Sequence, residues 1–139
     1  MTQTIAEIHP AILANQRSTE LASVGNKEAW LALYADNAIL KDPVGSSPLD
    51  PSGNGHQGKA AIAAFWDTII APSNIQLTVK QRIISGPKHC AVLQQVKNDM
   101  GNGKTTLVDM IASYEVNDEG LIIVMSAYWD FDNLMAQML

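Results

Sequence analysis

The chain is poor in several things that usually announce a function. It has one cysteine, Cys90, in 139 residues. No intrachain disulfide can form, and no Cys/His spacing of the zinc-binding kind is present. Cys90 has no activating neighbour in sequence, so a buried structural thiol is expected. Charged residues make up only 17%, the net charge is −5, and there is no basic cluster. Nucleic acid and anionic membrane surfaces are therefore not expected as partners. No stretch is long and apolar enough to span a bilayer. Met1 to Ile8 lacks the basic start and long apolar run of a signal peptide, so a cytoplasmic location is expected. There is no internal repeat and no dinucleotide fingerprint. Gly101-Asn102-Gly103-Lys104-Thr105 lacks the spacing of a phosphate loop and opens a strand. Of the three histidines, His9 and His89 read as surface residues, and His56 sits in a loop that could reach a pocket mouth. None is spaced as a metal pair, and neither a metal nor another cofactor is expected.

What is present is apolar. Hydrophobic residues reach 47%, enough for one globular domain over residues 1–139 with a real core. Ile8, Ile12, Leu13, Leu21 and Val24 fall on one helical face, Pro10 is tolerated in the first turn, and Gly25 ends the helix. Asn26 caps a second helix, on which Trp30, Leu33 and Tyr34 share a face up to about Ala35. Ala38 to Lys41 is a short strand. Residues 45–58 are dense in Gly, Pro, Ser and Asn and read as a long loop, of the kind used as lids or binding edges. Lys59 to Ile70 is a third helix, which Pro72 bars from continuing.

The second half reads as strands: Ile75 to Ser85, Cys90 to Lys97, Thr105 to Val116 and Leu121 to Trp129. Met100-Gly101-Asn102-Gly103 and Asn117-Asp118-Glu119-Gly120 are the turns between them. Helices followed by an antiparallel meander make the α+β class. A curved sheet around a few helices leaves a cavity on its concave face.

Asp42-Pro43 stands out at the end of the first strand. A carboxylate there is either a surface turn former or a proton-transfer base at the mouth of an apolar pocket.

Three segments carry a family resemblance. They are Tyr34-Ala35-Asp36-Asn37-Ala38 with Asp42-Pro43-Val44-Gly45, Gln57-Gly58-Lys59 through Phe65-Trp66, and Asn117-Asp118-Glu119-Gly120-Leu121-Ile122 with Ala127-Tyr128-Trp129. In order and spacing the chain resembles the nuclear transport factor 2-like superfamily, in its ketosteroid-isomerase and SnoaL-like branch. The longer loop Leu49-Asp50-Pro51-Ser52-Gly53-Asn54-Gly55 is similar to that of an actinobacterial sub-branch of steroid delta-isomerase-like proteins.

The resemblance implies a conical, cystatin-like fold: a strongly curved antiparallel sheet wrapped around three helices and an apolar pocket. It implies a small apolar, steroid-like or polyketide-like ketone as ligand, and a homodimer formed through the sheet. Its chemistry moves a carbon–carbon double bond into conjugation with a ketone. A carboxylate takes a proton beside the carbonyl and returns it two carbons away, while a tyrosine and a protonated aspartic acid hold the enolate oxygen. Ketosteroid isomerase is itself a standard worked case of such pKa tuning.

Asp42 falls on the family's base. The family's tyrosine position holds Ser18, and its protonated aspartic acid position holds Ala112. Asp109 lies three residues before Ala112 and is expected on the opposite face of the strand. Tyr114 shares the face of Ala112 and is either a substitute phenol donor or a core aromatic. Trp129 matches the family's pocket tryptophan. Met110, Ala112, Met125 and Ala127 would complete an apolar wall, with Phe65, Trp66 and Trp30 on the helical side, though these can equally be core. Two arginines, Arg17 and Arg82, do not form the polar Asp/Arg cluster that epoxide opening wants. The open readings are an isomerase using Asp42, a hydrophobic-ligand binding protein that does not turn over, another cofactor-free reaction on the scaffold such as polyketide cyclisation, and a dimeric module with a filled cavity.

Overall fold

In the computed structural model, which describes residues 9–139, the elements follow as α1 (Pro10–Val24), α2 (Lys27–Leu31), β1 (Tyr34–Lys41), β2 (His56–Gln57), α3 (Lys59–Phe65), β3 (Ile75–Ser85), β4 (His89–Asp99), β5 (Thr105–Val116), β6 (Ile122–Tyr128) and α4 (Phe131–Gln137). The strands form one curved sheet in the order β2-β1-β6-β5-β4-β3. β3 to β6 are an antiparallel meander, as the turns require. The sheet is nevertheless mixed, because β1 runs parallel to β6. The α+β class holds, and the purely antiparallel expectation is corrected by this one internal pairing. Register shifts at Val79/Gln81 and at Glu115/Val116 mark bulges, which bend strands and close the concave face.

Period-two alternation decides which side chains enter the concavity. On β5, Thr106, Met110, Ala112, Tyr114 and Val116 are buried, and the intervening Thr105, Leu107, Asp109 and Ile111 are exposed. Asp109 lies on the outer face, where it accepts from Gln95 Nε2 at 2.9 Å.

α1 ends as its sequence dictates. Gly25 takes φ 74°, and the Gly25 and Asn26 amides donate back to the Ala22 and Leu21 carbonyls, satisfying helix-end acceptors. Its start differs from expectation. Ile8 lies outside the described residues, and His9 is buried and not at the surface. Its Nδ1 accepts from the Ala11 amide at 3.2 Å, and Nε2 lies 2.9 Å from the Gly86 carbonyl oxygen. The buried face of α1 also differs: it holds Ala11, Ile12, Ala14, Asn15, Ser18 and Thr19, while Val24 is exposed. Ala11, Ile12 and Ala14 join the hydrophobic core, and only the later Ser18, Thr19 and Ala22 reach the cavity wall.

α2 stops at Leu31, earlier than its periodicity suggests. The Ile122 amide donates to the Leu33 carbonyl at 2.8 Å, and Tyr34 already pairs with Ile122. Long-range pairing overrides local helical preference here. Tyr34 therefore opens a strand, though it still packs on Trp30 with ring centroids 4.9 Å apart. The third helical stretch reaches Ile70 as expected, but only Lys59–Phe65 of it is α-helical. From Trp66 to Ile70 the chain widens into a π turn, with the Ala71 amide donating to the Trp66 carbonyl.

The 45–58 loop folds on itself. The Val44 amide donates to the Ala127 carbonyl at 2.8 Å, and buried Asp50 accepts from the Gly55 amide at 2.8 Å. β2 at its end pairs with Ile39 and Leu40 of β1. A Cβ on Gly55 would stand 2.8 Å from the Ile39 side chain, so this close approach requires glycine. The C-terminal helix α4 was not foreseen. Asp130 caps it, and Gln137 hydrogen-bonds both the amide and the carbonyl of Leu107.

Candidate functional site

A cavity of about 180 Å³ opens between the concave sheet face and the helices. Ser18, Asp42, Phe65, Met110, Tyr114, Met125 and Trp129 all line it. So do Trp30, Tyr34, Leu40, Gln94 and Leu134. Ala112 differs from the set read from sequence. It has no accessible surface and is not part of the cavity wall, because a methyl group between Met110 and Tyr114 is too short to reach past them. Ala127 and Trp66 are likewise core and not wall. His56 does not line the cavity either; it packs on Phe65 with ring centroids 5.1 Å apart.

Asp42 follows β1, whose pairing with Met125 and Ser126 of β6 carries the carboxylate to the cavity wall. There Trp129 Nε1 donates to Asp42 Oδ1 at 2.6 Å. Asp42 keeps some accessible surface, yet it is deeply enclosed by protein atoms; a cavity-lining group is both. Desolvation pushes its pKa up to about 6, against the lowering effect of the Trp129 hydrogen bond. A carboxylate held there is ionised at neutral pH and still basic enough to take a proton.

Two phenols share the cavity. Tyr114 sits on the inward row of β5 and Tyr34 at the head of β1, and both are almost fully buried. Burial raises both pKa values. For Tyr34, repulsion from Tyr114 and Asp42 adds to that rise, and the Ser18 hydroxyl works against it. For Tyr114, Asn15 and Ser18 lower it, and Asp42 and Cys90 raise it. Both phenols therefore stay protonated and keep a proton to donate. Tyr34 Oη has no hydrogen-bond partner among the described residues. Ser18 accepts from Trp30 Nε1 at 3.1 Å, which leaves its own hydroxyl proton free to turn toward the phenols. Behind them, buried Asn15 accepts from Arg82 Nε at 2.8 Å. Arg82 thus braces Asn15, and neither arginine enters the cavity wall. Cys90 is buried, and its thiol is pushed up to about 11, chiefly by burial. No cluster of metal-ligating side chains occurs among the described residues.

Sequence reasoning missed Tyr34 because Trp30 and Tyr34, four apart, fit a helix as well as a helix-to-strand junction. Gln94 was open to detection. It lies between Val92 and Val96 on the inward row of β4, where period two places a polar residue in an apolar wall.

The chain matches the SnoaL-like domain over residues 16–125 and belongs to that family. It is 28% identical over 124 residues to a steroid Delta-isomerase of Nocardioides simplex, covering 89% of this chain and 90% of that one. Among solved structures it resembles a Delta 5-3-ketosteroid isomerase from Mycobacterium sp. at 35% identity and a TM-score of 0.84, covering 91% of this chain and 97% of the other. It also resembles RV0760c from Mycobacterium tuberculosis, solved in complex with estradiol-17beta-hemisuccinate, at 36% identity and a TM-score of 0.84, with coverage of 89% and 96%.

Proposed function

We propose that this protein isomerises a flat apolar ketone of the steroid class, with Asp42 as the general base. The carrying observation is a buried carboxylate pushed up to about 6 in one cavity with two protonated phenols. Asp42 takes a proton from the carbon beside the ketone, and the electrons move onto the ketone oxygen. Tyr114 and Tyr34 donate to that oxygen. They replace the aspartic acid and tyrosine whose places hold Ala112 and Ser18. Asp42 then returns the same proton two carbons along, so atoms and charge balance without a cofactor. Ser18 tunes the phenols from behind, and Phe65, Met110, Met125 and Trp129 exclude water around the ring skeleton. Preorganised donors at a developing oxyanion are each worth about 100- to 1,000-fold in rate, so two phenols answer the loss of the family's pair.

Similar proteins support the substrate class, since one is a Delta 5-3-ketosteroid isomerase and another is solved with an estradiol derivative. The test is formation of the conjugated enone from a Δ5-3-ketosteroid, followed by absorbance. Asp42→Asn is expected to cost about 100- to 10,000-fold in kcat. Saturable quenching of tryptophan fluorescence without turnover in the wild type would select a binding protein instead.

A second copy is proposed as partner through the outer sheet face. Leu93, Ile111 and Tyr128 stand side by side across β4, β5 and β6, and all three are exposed along with Ile83. Ile111→Glu should halve the particle mass in analytical ultracentrifugation. A wild type that is already monomeric ends this reading.

A further inference from the structure

Asp42 and the phenols leave Gln94, a buried polar residue of the cavity, unused. Gln94 is 3% exposed and lines the cavity among apolar neighbours on β4. Its Nε2 donates to Met110 Sδ at 3.2 Å, and its Oε1 has no partner among the described residues. A thioether is a weak acceptor and never a donor. Turning the amide over would set oxygen against sulfur, two acceptors facing each other. The amide therefore keeps nitrogen on sulfur and leaves its carbonyl unmet. An unmet buried carbonyl is costly to hold, and a glutamine kept on this wall calls for a hydrogen-bond donor.

Its location separates it from the reacting end. Gln94 pairs with Met110, while Tyr114 pairs with Cys90, four residues away along both strands, or about 13 Å. Asp42 lies beyond β5 and β6 on the far side of the concavity. An oxygen at Gln94 is therefore not the oxygen held by the phenols. Met110, which shares the contact, is unbranched and can shift with the amide, so that Oε1 swings toward a ligand while the nitrogen stays on sulfur.

We propose that Gln94 forms a second polar subsite, which accepts a hydrogen bond from a hydroxyl on the ligand's ring skeleton, away from its ketone. The site thus selects hydroxy-ketones over diketones of the same skeleton. This rests on the ketone-binding reading above. A ring ketone in place of the hydroxyl offers no proton and faces Oε1 as a second acceptor.

The experiment uses two matched pairs of 3-ketosteroids: a 17β-hydroxyl against a 17-ketone, and an 11β-hydroxyl against an 11-ketone. Affinities are read by quenching of tryptophan fluorescence in the wild type and in Gln94→Leu. In at least one pair the wild type is expected to bind the hydroxyl member about tenfold more tightly, the scale of one hydrogen bond made against one refused. Gln94→Leu is expected to erase that preference while still binding the diketone. If the wild type binds both members of both pairs equally, the subsite does not exist, and this outcome needs no variant to fold. If Gln94→Leu weakens both members of a pair to the same degree, the residue is only structural and the inference fails. If no member binds at all, the ketone-binding reading falls and takes this one with it.

Discussion

Trp129 Nε1 donates to Asp42 Oδ1 at 2.6 Å, across 87 positions of sequence. The bond stabilises the charged carboxylate, and the surrounding apolar wall opposes it. Desolvation is the larger effect, so the carboxyl sits at about 6. The pair sets both the ionisation of the proposed base and its orientation toward the cavity.

The pH dependence of activity follows directly. kcat/KM should rise with pH through about 6, as Asp42 ionises, and then level off. Trp129→Phe removes the hydrogen bond that lowers this pKa. Its acid limb should move to higher pH, with activity at pH 5 falling more than activity at pH 8. A profile unchanged by Trp129→Phe would show that the group titrating near 6 is not Asp42.

Tyr34 separates catalysis from folding. Its hydroxyl is buried without a partner among the described residues, so Tyr34→Phe removes a desolvated polar atom and should leave stability unchanged or raise it by about 1 kcal/mol. If the phenol donates to the enolate, the same change should lower kcat by about 100-fold with little change in KM. Parallel urea melts and steady-state assays read both. Loss of stability together with loss of rate would mark Tyr34 as a packing residue. Tyr114→Phe should show a similar loss of rate.

Asp42 also has a signature in stability. Its folded pKa lies above the ordinary carboxylate value of 3.8, so between about pH 4 and 6 the folded state holds more protons than the unfolded one. Stability from this group is therefore lost as pH rises through about 6. Asp42→Asn removes the buried charge and keeps an acceptor for Trp129. Urea unfolding should find it more stable than the wild type at pH 7.5, on the order of 3 kcal/mol, with the gap closing toward pH 4. Equal stability at both pH values would mean that Asp42 is solvated in the folded protein.

Much of this was legible from residues alone. Gly25, Asn26, the Gly101–Gly103 turn and the period-two rows of β4 and β5 are local features, written in torsional preference and alternation. They mark where elements begin and end, and they place Met110 and Tyr114 on the inward face while turning Asp109 out. They also mark Asp42 as a carboxylate delivered by a strand end. Tertiary structure alone decided what those faces meet. Parallel pairing of β1 with β6 pulled Tyr34 out of a helical pattern and put it on the cavity wall shared with Tyr114. The same pairing brought Asp42 to Trp129, and only the resulting enclosure raised its pKa. Periodicity reports which side of an element is apolar. Proton affinity depends on the charges and solvent that long-range packing brings near or removes.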